Sequence, residues 1–110
     1  MSQLEIAKNI IALYEQHGWR LQRVLLTPAS RAQEINHSLA VFGDSPVVES
    51  DFDALWFARP STARREAWEL RLISEQAYAL FEAFEADEGE DARQEVRQEM
   101  ENKMREYARR

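Results

Sequence analysis

The chain has 110 residues, of which 20 are acidic and 14 basic, so its formal net charge is -6. A chain of this length can bury a core as one domain, and its acidic balance disfavours nucleic acids and anionic membranes as partners. Because the chain contains no cysteine, a disulfide framework, a thiolate metal site and a cysteine nucleophile are excluded. A core of this size needs no cofactor in order to fold, and we expect no metal and no cofactor.

The first predicted element is a helix close to the N-terminus. Ser2 followed by Glu5 has the spacing of a capping box, apolar residues then recur at helical intervals, and Gly18 is placed to end the helix. His17 is interpreted as a residue of the last helical turn, where the helix dipole favours it, and not as a catalytic base. The chain start lacks the basic and apolar regions of a signal peptide, and no apolar run approaches the ~18 residues of a membrane span, so we expect a soluble cytoplasmic protein.

A strand and a second helix are predicted next. Residues 19–26 have the composition of a strand that is covered on both sides, in which Arg23 needs a carboxylate partner, with Glu69 as the first candidate. Thr27 stands before a proline, which is typical of a helix start, so residues 29–39 are expected to be helical.

The stretch after the breaker at residues 43–46 contains the carboxylates Glu49, Asp51 and Asp53. Carboxylate oxygens are ligands for divalent cations, but the spacing lacks the glycine and terminal glutamate of a calcium-binding hand. We interpret this stretch as a solvated acidic loop that leads into a strand.

A hairpin formed by residues 54–59 and 66–73 is the predicted centre of the molecule. Pairing Arg59 with Glu66 sets a register in which one face of the hairpin is strongly apolar and the other places Trp56 among charged side chains. The apolar face then consists of Leu55, Phe57, Trp68, Leu70 and Leu72.

Two helices are predicted after the hairpin. Ser74 is placed to cap a helix over residues 75–85, whose apolar residues form a stripe that packs on the sheet. Residues 89–110 are highly charged with a narrow apolar seam, which suits a helix lying on its own domain or on a partner. The seam consists of Val96, Met100, Met104 and Tyr107.

These elements predict an α+β fold in the order α-β-(α)-β-β-α-α, with a three-stranded antiparallel sheet packed with N-terminal and C-terminal helices. The first helix and the helix over residues 75–85 are expected on the same face of the sheet. Residues 1–88 form one compact domain in this interpretation, and residues 89–110 form the charged C-terminal helix.

The second face of the hairpin is the predicted binding surface. Trp56 is a residue type that anchors protein interfaces, and charged side chains around it would form a polar rim. No glycine-rich phosphate loop or hydrolase motif occurs, and neither histidine lies in a catalytic motif. The predicted interaction face consists of Trp56, Glu69, Arg71, Arg23 and Arg59.

We therefore expect a non-enzymatic protein-interaction or assembly module that forms a homodimer or binds a protein partner. The alternative is a binding protein or enzyme for a small anionic molecule, in which the arginine and glutamate cluster beside Trp56 orients a carboxylate or phosphate. The residues leave both functions open.

Overall fold

A computed structural model describes residues 2–36 and 41–109 of the chain. It has the expected α+β class. The elements in chain order are α1 (Gln3–Gln16), β1 (Arg20–Leu26), α2 (Pro28–Asn36), β2 (Val47–Glu49), β3 (Ala54–Pro60), a short 3-10 turn (Thr62–Arg64), β4 (Glu66–Leu72), β5 (Ala79–Phe84) and α3 (Glu90–Ala108).

The strands form one five-stranded mixed sheet in the order β2-β1-β3-β4-β5. β2 runs parallel to β1, and the other three neighbouring pairs are antiparallel. The three predicted strands do pair antiparallel, as β1, β3 and β4. The predicted sheet is nevertheless wrong in its strand number, and the whole sheet is mixed because β2 runs parallel to β1. The additional strands come from the acidic lead-in, which pairs with β1, and from the segment that was predicted to be a helix.

That segment is wrong as a helix because its apolar pattern fits two periods. Leu80 and Phe84 are four residues apart, which puts them on one side of either a helix or a strand. The position of Phe81 distinguishes a strand from a helix, because in β5 it lies on the side opposite to Leu80 and Phe84. The centre of its ring is 6.4 Å from the centre of the Trp19 ring, in an edge-to-face arrangement. Only pairing with β4 over the whole length of β5 reveals the strand.

The predicted start of α1 is confirmed. The Ser2 hydroxyl accepts a hydrogen bond from the Glu5 amide at 3.2 Å, and Gly18 follows the helix with a φ of +83°, a conformation that favours glycine. α2 begins after Thr27, whose hydroxyl accepts from the Ser30 amide at 3.2 Å. The predicted end of this helix at residue 39 lies outside the described residues.

The sheet is covered on both faces, and each face has its own apolar cluster. On the first, called the α1 face, α1 packs with Val24, Leu55 and Phe57. On the second, called the α3 face, Met100 and Met104 of α3 pack with Trp56 and its neighbours. The expectation that the first helix and the helix after the hairpin share a face is wrong, because the latter is a strand and the helices that cover the sheet lie on opposite sides.

Within residues 2–36 and 41–109, no helix combines the length and the apolar character that crossing a membrane requires.

Candidate functional site: an open sheet edge beside an apolar patch

The register of the central hairpin differs by one residue from the prediction. Arg59 lies opposite Ala67, and Pro60 lies opposite Glu66. The turn is tighter than expected, because the Ser61 amide donates to the Arg65 carbonyl at 2.9 Å and the residues between them form a 3-10 turn. A slip of one residue moves every side chain of one strand to the other face, so the predicted face of five binding residues is not one surface.

Trp56 and Arg23 lie on the α3 face, directly opposite each other on β3 and β1. The Trp56 side chain is fully buried, and its indole N–H donates to the Glu101 carboxylate of α3 at 2.9 Å. Trp56 therefore fills the core beneath α3. The alternative function placed an anion-binding cluster beside an exposed Trp56, and Trp56 is not exposed.

Glu69 and Arg71 lie on the α1 face, where Glu69 is opposite Phe57. The predicted pairing of Arg23 with Glu69 is wrong, because β3 separates their strands and their side chains point to opposite faces. The Glu69 carboxylate instead accepts a hydrogen bond from the Tyr14 hydroxyl. The pKa of Tyr14 is raised above its usual range, mainly because the side chain is partly buried and secondly because its hydroxyl bonds to this carboxylate.

Arg59 also lies on the α1 face but makes contacts of its own. Its guanidinium carbon is 4.4 Å from the centre of the Trp19 ring, and Nη1 donates to the His17 carbonyl at 2.7 Å. The arginine thereby satisfies a carbonyl at the C-terminus of α1, where a cation is favoured. Whether any of the five predicted residues takes part in binding stays a prediction.

The carboxylates of the acidic lead-in point to different partners. Asp51 accepts from Arg105 of α3 at 2.8 Å and from Arg109 at 3.4 Å, and the hydrogen bond from Arg105 lowers the pKa of Asp51. Asp53 is the acceptor of the Thr27 amide at 2.8 Å and the Ser30 hydroxyl at 2.6 Å. These two carboxylates fasten neighbouring elements, and no three potential metal-binding side chains converge in the described residues.

An exposed apolar patch lies on the α1 face near the end of the sheet. Leu13 is 55% exposed and Phe81 is 57% exposed. Leu13, Tyr14, Trp19 and Glu69 border a pocket of about 190 Å³, and Phe81 extends this surface through its contact with Trp19. We call Leu13, Phe81 and this pocket the edge patch.

The edge patch adjoins β5, which is the last strand of the sheet. The Leu72 amide donates to the Tyr78 carbonyl at 3.0 Å, and hydrogen-bonded residues alternate along an antiparallel pair. The even-numbered residues of β5 therefore bond to β4. The N–H and C=O groups of Ala79, Phe81 and Ala83 point away from the sheet, and we call these groups the open edge.

The hydrogen bonds of β4 support this assignment. The Ile73 amide donates to the Asp53 carbonyl at 3.0 Å, so the odd-numbered residues of β4 bond to β3 and its even-numbered residues bond to β5.

The open edge ends at Glu85. There the amide donates to the Glu88 carboxylate at 2.9 Å, and the carbonyl accepts from Arg93 at 2.8 Å. In the described part of the chain, no hydrogen bond reaches the outward backbone groups of the open edge.

β5 has little of the usual protection of edge strands, since Glu82 is its single charged residue. Natural edges are commonly shortened or interrupted by lysine, proline or a bulge, whereas β5 has the sequence Ala-Leu-Phe-Glu-Ala-Phe. The opposite edge strand, β2, has only three residues. The long, largely apolar edge is therefore confined to the β5 side of the sheet.

Sequence reasoning missed Phe81 as a surface residue because the predicted helix placed it in the core. The sequence does show which residues share a face with Phe81 if this segment is a strand, because Ala79 and Ala83 are two positions away on either side.

Comparison with protein-family models, curated proteins and solved structures gives no match for this chain.

Proposed function

We propose that this chain is a non-enzymatic protein-interaction and assembly module that takes up an extended strand at the open edge. The observation that carries the proposal is the open edge itself, together with the exposed Phe81 beside it. A strand added to a sheet edge gains backbone hydrogen bonds, and neighbouring side-chain surfaces select its sequence.

The edge patch supplies that selecting surface. An incoming strand that pairs with β5 places every second side chain on the α1 face, next to Phe81. Leu13 and the pocket beside Trp19 extend the apolar area beyond β5. We expect an apolar side chain of the partner to pack there, because burying a large apolar side chain contributes roughly 1.5–3 kcal/mol.

The central test uses a short peptide of alternating valine and lysine as the added strand. In an NMR titration of the dilute protein, we expect the amide signals of Ala79, Phe81 and Ala83 to shift and their hydrogen exchange to slow. Before the peptide is added, these amides should exchange quickly, whereas those of Leu80 and Glu82 should be protected by β4.

Two substitutions at one position provide the matched control. Ala79→Pro removes an outward N–H without removing a bond to β4, which is the position at which an edge strand tolerates proline. Ala79→Val retains the N–H. Peptide binding should weaken in the first variant and persist in the second. Slow exchange of the open-edge amides in the peptide-free monomer would contradict the proposal, because the edge would then already be covered.

A further inference from the structure

We propose that the strand taken up at the open edge is β5 of a second copy of this chain, paired antiparallel about a two-fold axis at Phe81. This inference rests on the proposed function and names its partner. The two five-stranded sheets would then join into one continuous sheet, and each copy would use the same surface, as a two-fold interface requires.

The hydrogen-bonding groups of the open edge are self-complementary in this register. Phe81 pairs with the partner's Phe81, and Ala79 pairs with the partner's Ala83. Every outward-facing residue of β5 then meets another outward-facing residue, so each pair can exchange both of its backbone hydrogen bonds. The side chains on the α1 face repeat as alanine, phenylalanine, alanine in either direction, so the small residues leave room around the two rings.

The opposite side of the strand selects this register over its neighbours. Leu80 faces the partner's Glu82, so like charges are not directly opposed. A shift of two residues in one direction puts Glu82 against the partner's Glu82 and the outward groups of Glu85, which are already bonded, against the partner's Ala79. The shift in the other direction pairs Ala83 with the partner's Ala77, which lies outside β5.

Net charge separates a second copy from a basic peptide as the natural occupant. Each copy carries a formal charge of -6, so two copies repel each other at long range. Salt screens this repulsion, because the Debye length falls from about 10 Å at 0.1 M to about 3 Å at 1 M ionic strength. Self-association should therefore tighten as salt is added, whereas binding of a basic strand should weaken.

Sedimentation velocity over a range of protein concentrations tests the inference. We expect the wild-type protein to approach twice its monomer mass of 12.9 kDa. Phe81→Lys should raise the dimer dissociation constant by about thirtyfold or more. It replaces the two facing phenylalanines at the axis with two positive charges that repel each other. Val48→Lys is the matched control, because Val48 is also an exposed apolar residue on an edge strand, 43% exposed on β2.

Cross-linking tests the position of the axis without weakening the interface by charge. The chain has no cysteine of its own, so Phe81→Cys introduces a single thiol. Hydrogen-bonded antiparallel pairs have Cα atoms about 5.5 Å apart, which is within the range of a disulfide. Oxidation should cross-link Phe81→Cys at least about tenfold faster than Leu13→Cys, whose side chain is equally exposed but lies away from the axis.

The outcomes separate the inference from the function on which it rests. A dimer that Phe81→Lys disrupts and Phe81→Cys traps supports the inference. A dimer whose dissociation constant Phe81→Lys does not change, and which Phe81→Cys does not cross-link, overturns the inference, because association then uses another surface. A protein that stays monomeric but still binds the valine and lysine peptide at the open edge overturns the second copy while retaining the strand-binding function. Failure of the peptide to bind a monomer whose edge amides are protected overturns both.

Discussion

Tyr14 connects helix α1 to the sheet through two kinds of contact. Its ring stacks on Phe57 with the ring centres 4.2 Å apart, and its hydroxyl donates to the Glu69 carboxylate. The raised pKa of Tyr14 follows from burial and from this neighbouring carboxylate. The folded state therefore holds the phenolic proton more tightly than the unfolded chain does.

This difference predicts a loss of stability in alkaline solution. Tyrosine in an unfolded chain titrates near pH 10, and the contribution of Tyr14 is fully present below that pH. It is lost as the pH rises towards the folded pKa, because the unfolded chain releases a proton that the folded chain retains. The free energy of unfolding should fall more steeply from about pH 9 to about pH 11 in the wild type than in Tyr14→Phe.

Urea unfolding at several pH values measures the two slopes. Because the variant differs by one hydroxyl, the other titrating groups contribute to both curves. Parallel curves for the wild type and Tyr14→Phe would show that the hydroxyl is not held against Glu69.

At the scale of elements, α3 shows how a highly charged helix can still cover a sheet. Its apolar residues are few, but Met104 is fully buried and Met100 is nearly so. Arg97 is also buried. It pairs with Glu90 and lies with its guanidinium carbon 4.6 Å from the centre of the Trp68 ring. The long arginine side chain supplies covering surface that a count of apolar residues overlooks.

Truncating one methionine tests this arrangement. Met104→Ala should lower the free energy of unfolding by about 2–5 kcal/mol, because it opens a cavity in the cluster around Trp56. Lys103→Ala is the control on the exposed side of the same helix and should change stability by no more than about 0.5 kcal/mol. Chemical denaturation measures both, and equal effects would mean that α3 does not belong to the cooperative core.

At the scale of the whole molecule, the two apolar clusters share one sheet. Strand β3 contributes Leu55 and Phe57 to the α1 face and Trp56 to the α3 face. Alternating side chains of one strand thus belong to both cores. If one cluster unfolds, β3 loses its place in the sheet and no longer supports the other cluster. We therefore expect both faces to unfold together.

The tryptophans allow each face to be monitored separately. Trp19 belongs to the α1 face, and Trp56 and Trp68 belong to the α3 face. Trp19→Phe leaves fluorescence from the α3 face, and replacing Trp56 and Trp68 together by phenylalanine leaves it from the α1 face. In each variant, the fluorescence midpoint in urea should coincide with the circular dichroism midpoint, as two-state unfolding requires. Release of α3 at lower urea would separate the midpoints in Trp19→Phe.

The candidate site shows where sequence patterns stop being informative. The hairpin strands were predictable from their composition, but their register was not, because it depends on the turn at residues 61–65. Two non-glycine residues in this turn, Ala63 and Arg64, have positive φ values of 57° and 64°. No propensity favours that conformation for these residue types. The favoured charge pair, Arg59 with Glu66, gave way to the contact of Arg59 with Trp19.

The sequence by itself determined the α+β class, the capped start of α1 and the approximate position of the hairpin strands. These features depend on neighbours within a few residues, where periodicity and capping chemistry act directly. Only the tertiary structure decided the face of each hairpin side chain, the strand character of Ala79–Phe84 and the resulting open edge. Strand pairing joins residues that are distant along the chain. The sequence of a short apolar run therefore does not indicate whether a partner strand lies beside it.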